Sequence, residues 1–157
     1  MNDVVILASF IQEEAGMPAE DAKVSACFHN RLESDDPQWA EHKLESNASS
    51  YIMNDSDNNY LWNSPTAAYY GWPEQGAIPD DVLAHYDTYR ISGLPAGPIS
   101  NPGIAAIKAA LEPDPDEEAK DAYFFVTDLK GSYYYARTLS EHNANCQTAA
   151  DVNKTVG

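Results

Sequence analysis

Near the start of the chain, apolar residues recur at spacings of three and four. Val4, Leu7, Phe10 and Ile11 share one stripe at a helical period. The pattern predicts a helix over residues 3–15, stopped by Gly16. The next position on the stripe is a carboxylate, Glu14, while Gln12 and Glu13 point elsewhere. Pro18 then predicts the opening of a second helix, with Glu20 and Asp21 in a first turn that favours acids. Val24, Cys27, Phe28 and Leu32 supply its apolar face. The two segments should form a tight helical hairpin.

After Leu32 the periodicity fades. Residues 33–83 are rich in Asp, Asn, Ser, Pro and Tyr, and a long irregular stretch inside a domain is usually functional or inserted. Within it, residues 46–53 are expected to be extended and 80–85 to make a short helical turn. Order returns at 86–91, which alternates like a strand and leads into a rigid Gly/Pro-rich loop. Asn101 suits an N-cap and Pro102 the first helical position, with Ile104, Ile107 and Leu111 as the buried face and Pro113 as the stop. Residues 123–137 read as two strands around a Gly-containing turn. Thr138 followed by Glu141 is a capping box opening a last helix, and the residues from 151 are expected to fray. No internal repeat is present. The fold class is α+β: a helical hairpin and further helices around a small antiparallel sheet.

The chain's 157 residues suffice for one domain with a core. No run approaches the ~18 apolar residues of a membrane helix, and no signal peptide is visible. The net charge of −16 argues against nucleic-acid partners and against attachment to anionic lipid. Cys27 and Cys146 are too few for a disulfide framework, and Cys27 reads as a small buried thiol. His29, His42, His85 and His142 lack metal-ligand spacing, so neither metal nor cofactor is expected. Ten tyrosines and three tryptophans, many in polar surroundings, suit either stacking on sugars or roofing a core.

Glu14 has two readings. It either sits at the rim of the core, turned to water or to Arg31, or lies half-buried at the floor of a cleft. In the second case apolar Leu7, Phe10 and Ile11, the helix C-terminus and neighbouring Glu13 would all favour its protonated form. A carboxylic acid kept protonated near neutrality can give its proton to a glycosidic oxygen.

Four stretches, ILASFIQEEAG (6–16), KVSACFHNRL (23–32), YDTYRISGLPAGPISNPGIAAIKAAL (86–111) and GSYYYARTLSEHN (131–143), resemble the endolytic murein transglycosylases, the MltG or YceG-like family. The matches keep the family's order from residue 4 to about 145. The resemblance implies a YceG-like catalytic domain over residues 1–147, with 148–157 a C-terminal tail. It implies cleavage of the β-1,4 bond between N-acetylmuramic acid and N-acetylglucosamine in peptidoglycan, leaving 1,6-anhydro ends. The family's catalytic glutamate is the second acid of an E-x-E motif, which falls on Glu14, with Gln12 in the first place. One acid serves both steps: it protonates the departing oxygen, then takes the proton of the muramyl C6 hydroxyl as that oxygen attacks the anomeric carbon. The paired carboxylates of ordinary glycosidases are unnecessary.

Substrate-binding candidates at family-like positions are Asn30, Glu45, Ser46, Asn47 and Ser49, then Tyr86, Thr88 and Tyr89, and finally His142 and Asn143. The chain departs from the family pattern where LESNASS replaces the usual LQSDPTV and where Tyr133 replaces a histidine after the hairpin turn. Residues 54–82, carrying Trp62 and Trp72, form a divergent aromatic-rich insert. The family further implies an amino-terminal membrane anchor, work at the outer face of the bacterial cytoplasmic membrane, and cell-wall synthesis proteins as neighbours. Rival readings are a hydrolytic muramidase with a second acid such as Asp87, and a non-catalytic glycan-binding module. A pyridoxal-phosphate lyase is disfavoured, because the six lysines look like solvated helix, turn or tail residues.

Overall fold

The apolar stripe at the start of the chain becomes the central helix of the protein. In the computed structural model, which describes residues 1–53, 59–113 and 115–156, α1 spans Asn2–Ala15. Ile6, Leu7, Ala8, Ser9, Phe10 and Ile11 are all buried, so this helix is enclosed on more sides than one stripe requires. Gly16 ends it in the left-handed region at φ 59°, a conformation that glycine adopts without steric cost. The following helix, α2 (Asp21–Glu33), starts later than Pro18 suggests. Met17 and Pro18 instead form a tight turn whose carbonyls accept from Glu20 N and Asp21 N. The two helices pack together as the expected hairpin.

A third helix, α7 (Ile104–Leu111), packs against both. Its buried residues are Ala106, Ala109 and Ala110, whereas Ile104 and Leu111 are exposed and Ile107 is half-buried. Of the predicted face, only Ile107 packs against the core. The carbonyls of Ala109 and Ala110 meet Ser25 Oγ at 2.8 Å and His29 Nε2 at 3.1 Å, an approach that leaves room only for methyl-sized side chains. Nor is Asn101 the N-cap. Gly103 holds that position, and its N–H donates to Gln12 Oε1 on α1.

Between α2 and α7 the chain is built from short pieces: α3 (Ser50–Met53), α4 (Tyr60–Asn63), α5 (Pro65–Tyr70) and α6 (Asp80–Ala84), with 3-10 turns at Pro37–Trp39, Asn47–Ser49 and Gln75–Ala77. Residues 46–53 are helical rather than extended, because Ser46 Oγ accepts from Ala48 N and starts a turn. Residues 86–91 form a turn rather than a strand. Asp87 Oδ1 accepts from Tyr89 N, and its carbonyl accepts from Arg90 N and Ile91 N. Of the aromatic insert, residues 54–58 lie outside the described residues. Trp62 and Trp72 pack against the main core, and Tyr70 stacks on Trp72 at 5.3 Å.

The sheet is the predicted hairpin. β1 (Phe124–Thr127) pairs antiparallel with β2 (Tyr133–Ala136), Phe125 opposite Tyr135. α8 (Leu139–Asn153) follows, opened by the Thr138–Glu141 capping box, and packs across both strands. It stays helical through Asn153, whose Oδ1 accepts from Leu129 N. Among the described residues no helix is long and apolar enough to cross a membrane.

Candidate active site

Glu14 occupies the last turn of α1, half-buried. Its Oε1 accepts a 2.5 Å hydrogen bond from Ser46 Oγ and a 3.2 Å bond from Ala48 N. Its Oε2 accepts none from the described residues. The carboxylate lies where two cavities meet. One, of about 270 Å³, is lined by Glu14 with Arg31, Glu45, Asn47, Tyr89 and His142 over an apolar wall of Phe28, Phe124, Phe125 and Leu139. The other, of about 210 Å³, is lined by Glu13, Glu14, Asn47, Ala48, Ser50 and Tyr51. Glu14 thus borders open space on both sides, and among the described residues it forms no ion pair with Arg31.

The loop holding Glu14 is itself braced from below. Thr88, fully buried, receives a hydrogen bond from Ser46 N and donates Oγ1 to Ser46 O, both at 3.0 Å. Ser49 Oγ donates to the same carbonyl at 2.8 Å. Glu45, at φ 50°, donates its N–H to Thr88 O. A side chain in the left-handed region is uncommon, and here it turns the Glu45 residue into the cavity wall.

Arg31 closes the floor. It is 6% exposed, yet forms no ion pair among the described residues. Nε donates to Tyr123 O at 2.6 Å, and one terminal nitrogen donates to Leu44 O and Glu45 O at 2.7 and 3.1 Å. Phe28, Trp39, Phe124 and Phe125 surround the guanidinium at 5.4–6.0 Å, a cation–π setting that suits arginine. Burial pulls its proton affinity below the ordinary arginine value, while the nearby Glu45 and Glu14 charges pull the other way. His142 stacks on Phe124 at 5.2 Å, with Nε2 3.5 Å from Cys146 Sγ. Burial and the Arg31 charge hold its imidazole below the usual 6.5, in the neutral form. Tyr89 donates its hydroxyl to Asn47 Oδ1 at 2.8 Å, and burial pushes its phenol upward.

The sequence-derived candidates therefore separate. Glu14, Glu45, Ser46, Asn47, Tyr89 and His142 line the cavity. Thr88 and Ser49 brace the loop without lining it. Tyr86 is buried, its hydroxyl packed so closely on Gly97 that a Cβ there would lie 2.7 Å from it. Asn30 spends both amide hydrogens on the carbonyls of Lys120 and Ala122, tying α2 to the loop before β1. Asn143 sits on the exposed side of α8, outside the cavity lining. Tyr133 also stands outside it, but its hydroxyl donates to the Ala15 and Glu14 carbonyls at the end of α1. Missing from the sequence reading are the apolar wall, the buried cationic floor, and the second cavity with Tyr51. The buried arginine had one signal: it follows Cys27 by four residues on the apolar side of α2.

Both thiols are free. Cys27 is buried beside Ala119, Ala122 and Tyr135, and burial pushes it up to about 12.

The profile of the YceG-like family matches residues 1–148. A protein of Bacillus subtilis described as endolytic murein transglycosylase is 29% identical over 150 residues, covering 91% of this chain and 33% of that protein. A protein of Streptococcus pneumoniae serotype 2 with the same description is 28% identical over 148 residues, covering 92% and 23%. The crystal structure of a yceG-like protein from Listeria monocytogenes aligns with a TM-score of 0.60 at 26% identity, covering 91% of this chain and 38% of that one. The chain thus spans a third or less of the length of these curated relatives.

Proposed function

The chain belongs to the YceG-like family, and from that premise we propose that it is the catalytic domain of an endolytic peptidoglycan transglycosylase with Glu14 as its acid and base. The observation that carries the reading is the placement of Glu14: one carboxyl oxygen is tied to Ser46 Oγ and Ala48 N, while the other is left to the junction of two cavities. A glycan strand crossing that junction puts a glycosidic oxygen beside the unbound carboxyl oxygen.

Glu14 donates its proton to the oxygen leaving the muramyl anomeric carbon as that C–O bond breaks and oxocarbenium character develops. The resulting carboxylate takes the proton of the muramyl C6 hydroxyl, whose oxygen closes on the anomeric carbon as the 1,6-anhydro bond. The proton count is restored and no water is consumed. Neutral Asn47, Tyr89 and His142 hold the sugars, and orientation of this kind is a large part of such catalysis. The place of action is the wall outside the cytoplasmic membrane, near the enzymes that build it.

Glu45 lines the same cavity, which favours one second reading: a hydrolase in which Glu45 activates water. Asp87, the other acid considered, is committed to Arg90 Nε at 3.2 Å and to Tyr89 N. Digestion of purified murein with the wild type and with Glu14→Gln, followed by product mass, separates the readings. Anhydro ends, lighter than reducing ends by one water and lost in Glu14→Gln, are expected. Reducing ends would establish the hydrolase. No release by the wild type under any condition would refute catalysis and leave a glycan-binding module.

A further inference from the structure

A third cavity, of about 370 Å³, is lined by Glu13, Tyr51, Tyr60, Ile99, Ser100 and Asn101. It shares Glu13 and Tyr51 with the smaller of the two cavities at Glu14, which in turn shares Glu14 and Asn47 with the larger. The three openings adjoin through these shared residues, with Glu14 bordering two of them. Tyr60, from the aromatic insert, donates its hydroxyl to Asn101 Oδ1 at 3.0 Å and so fastens the insert to the loop before α7. The Asn101 amide nitrogen has no acceptor among the described residues. The Glu13 carboxylate and the Tyr51 hydroxyl also have no hydrogen-bond partner among the described residues, although both residues are half-buried.

Resting on the functional reading above, we propose that this third cavity is a saccharide subsite, built in part by the insert, that takes an uncharged N-acetylhexosamine of the strand cut at Glu14. The inventory matches that ligand. Asn101 Nδ2 donates to an acetamido carbonyl, Glu13 accepts from ring hydroxyls, and the two tyrosine rings offer faces to the apolar side of a pyranose. Among the described residues no Lys, Arg or His lines the cavity, and the Glu13 carboxylate repels a free lactyl carboxylate, so the neutral sugar of the alternating strand is the one accepted. The volume falls at the lower end of ordinary small-molecule sites, ~300 Å³ upward.

The test uses Glu14→Gln protein, which keeps the strand intact, and stem-free glycan strands of two and of four disaccharides. Calorimetry should give about tenfold tighter binding of the longer strand. Adding Asn101→Ala should abolish that advantage while leaving the shorter strand's Kd unchanged, and Asn101→Trp, which fills the cavity, should do the same. Asn101 is exposed, and urea unfolding checks that either variant stays folded without its Tyr60 bond. Equal affinity for both lengths before either change overturns the subsite, as does a length advantage that survives both. If those results come with wild-type release of anhydro ends, only the subsite falls. If no strand binds and no ends are released, the functional reading falls with it.

Discussion

Replacing Ser46 with alanine isolates what the loop does for the acid. Ser46 is 2% exposed and its hydroxyl has two partners: it donates to Glu14 Oε1 at 2.5 Å and accepts from Ala48 N at 3.2 Å. The alanine variant keeps the backbone bonds to Thr88, and Ala48 N still reaches Glu14. The loss is therefore mainly one hydrogen bond to a carboxyl oxygen that gains charge as its proton leaves, worth about 1.5–3 kcal/mol. If that bond aims the carboxyl in the transition state, the same range means ~10- to ~100-fold in kcat. KM should change little, because the Ser46 hydroxyl is spent on Glu14 and Ala48 and not left free for a sugar. The assay is the rate of anhydro-end release from purified murein, with urea unfolding to show the variant folded. Ser46→Thr, which restores a hydroxyl, should recover much of the rate. A folded Ser46→Ala protein with wild-type kcat would refute the idea that this serine positions Glu14.

Arg31→Lys should destabilise the protein by about 2–4 kcal/mol in urea unfolding despite keeping the charge, because an ammonium cannot serve the Tyr123, Leu44 and Glu45 carbonyls from one plane. An unchanged midpoint would mean those bonds contribute little. His142 should make stability acid-sensitive. Its folded value lies below the ordinary 6.5, so the unfolded chain binds the proton more readily. Its contribution is full above about pH 6.5 and is lost as pH falls through that value toward the depressed one. His142→Phe, which keeps a ring on Phe124, should show a smaller drop in urea midpoint between about pH 7.5 and about pH 5. Equal drops would contradict the assignment.

What could be read along the chain was what short-range physics controls. α1 with its glycine stop, the hairpin 123–137 and the Thr138 capping box all depend on neighbours within a few positions, and they stand where the pattern places them. The alanine face of α7 escaped because the choice between Ile104 and Ala106 is made by packing against α1 and α2, far away in sequence. The turn at 86–91 escaped because Asp87 bonds locally to the backbone and overrides an alternation suited to a strand. Glu14 was singled out twice, by helix geometry and by motif, and it borders two cavities. Arg31 was not, since a cation inside four aromatic rings contradicts the ordinary expectation that charge stays in water. Asn30 and Asn143 show the converse: polar residues at family-like positions that serve backbone carbonyls or solvent.

Tyr133 joins the end of α1 from 119 positions downstream of Glu14. The carbonyls that accept from its hydroxyl are ones that a helix terminus leaves without intrahelical partners; Met17 N also donates to Ala15 O, so the turn carrying Glu14 is finished by its own next residues together with one from the hairpin. Ser46 arrives from a loop 32 positions on, and His142 from the helix beyond the sheet. Chain order delivers Glu14 before Ser46, Tyr133 and His142, so a fragment ending before Tyr133 lacks the full setting of that carboxyl. The surroundings of Glu14 are a property of the folded domain and not of α1 alone.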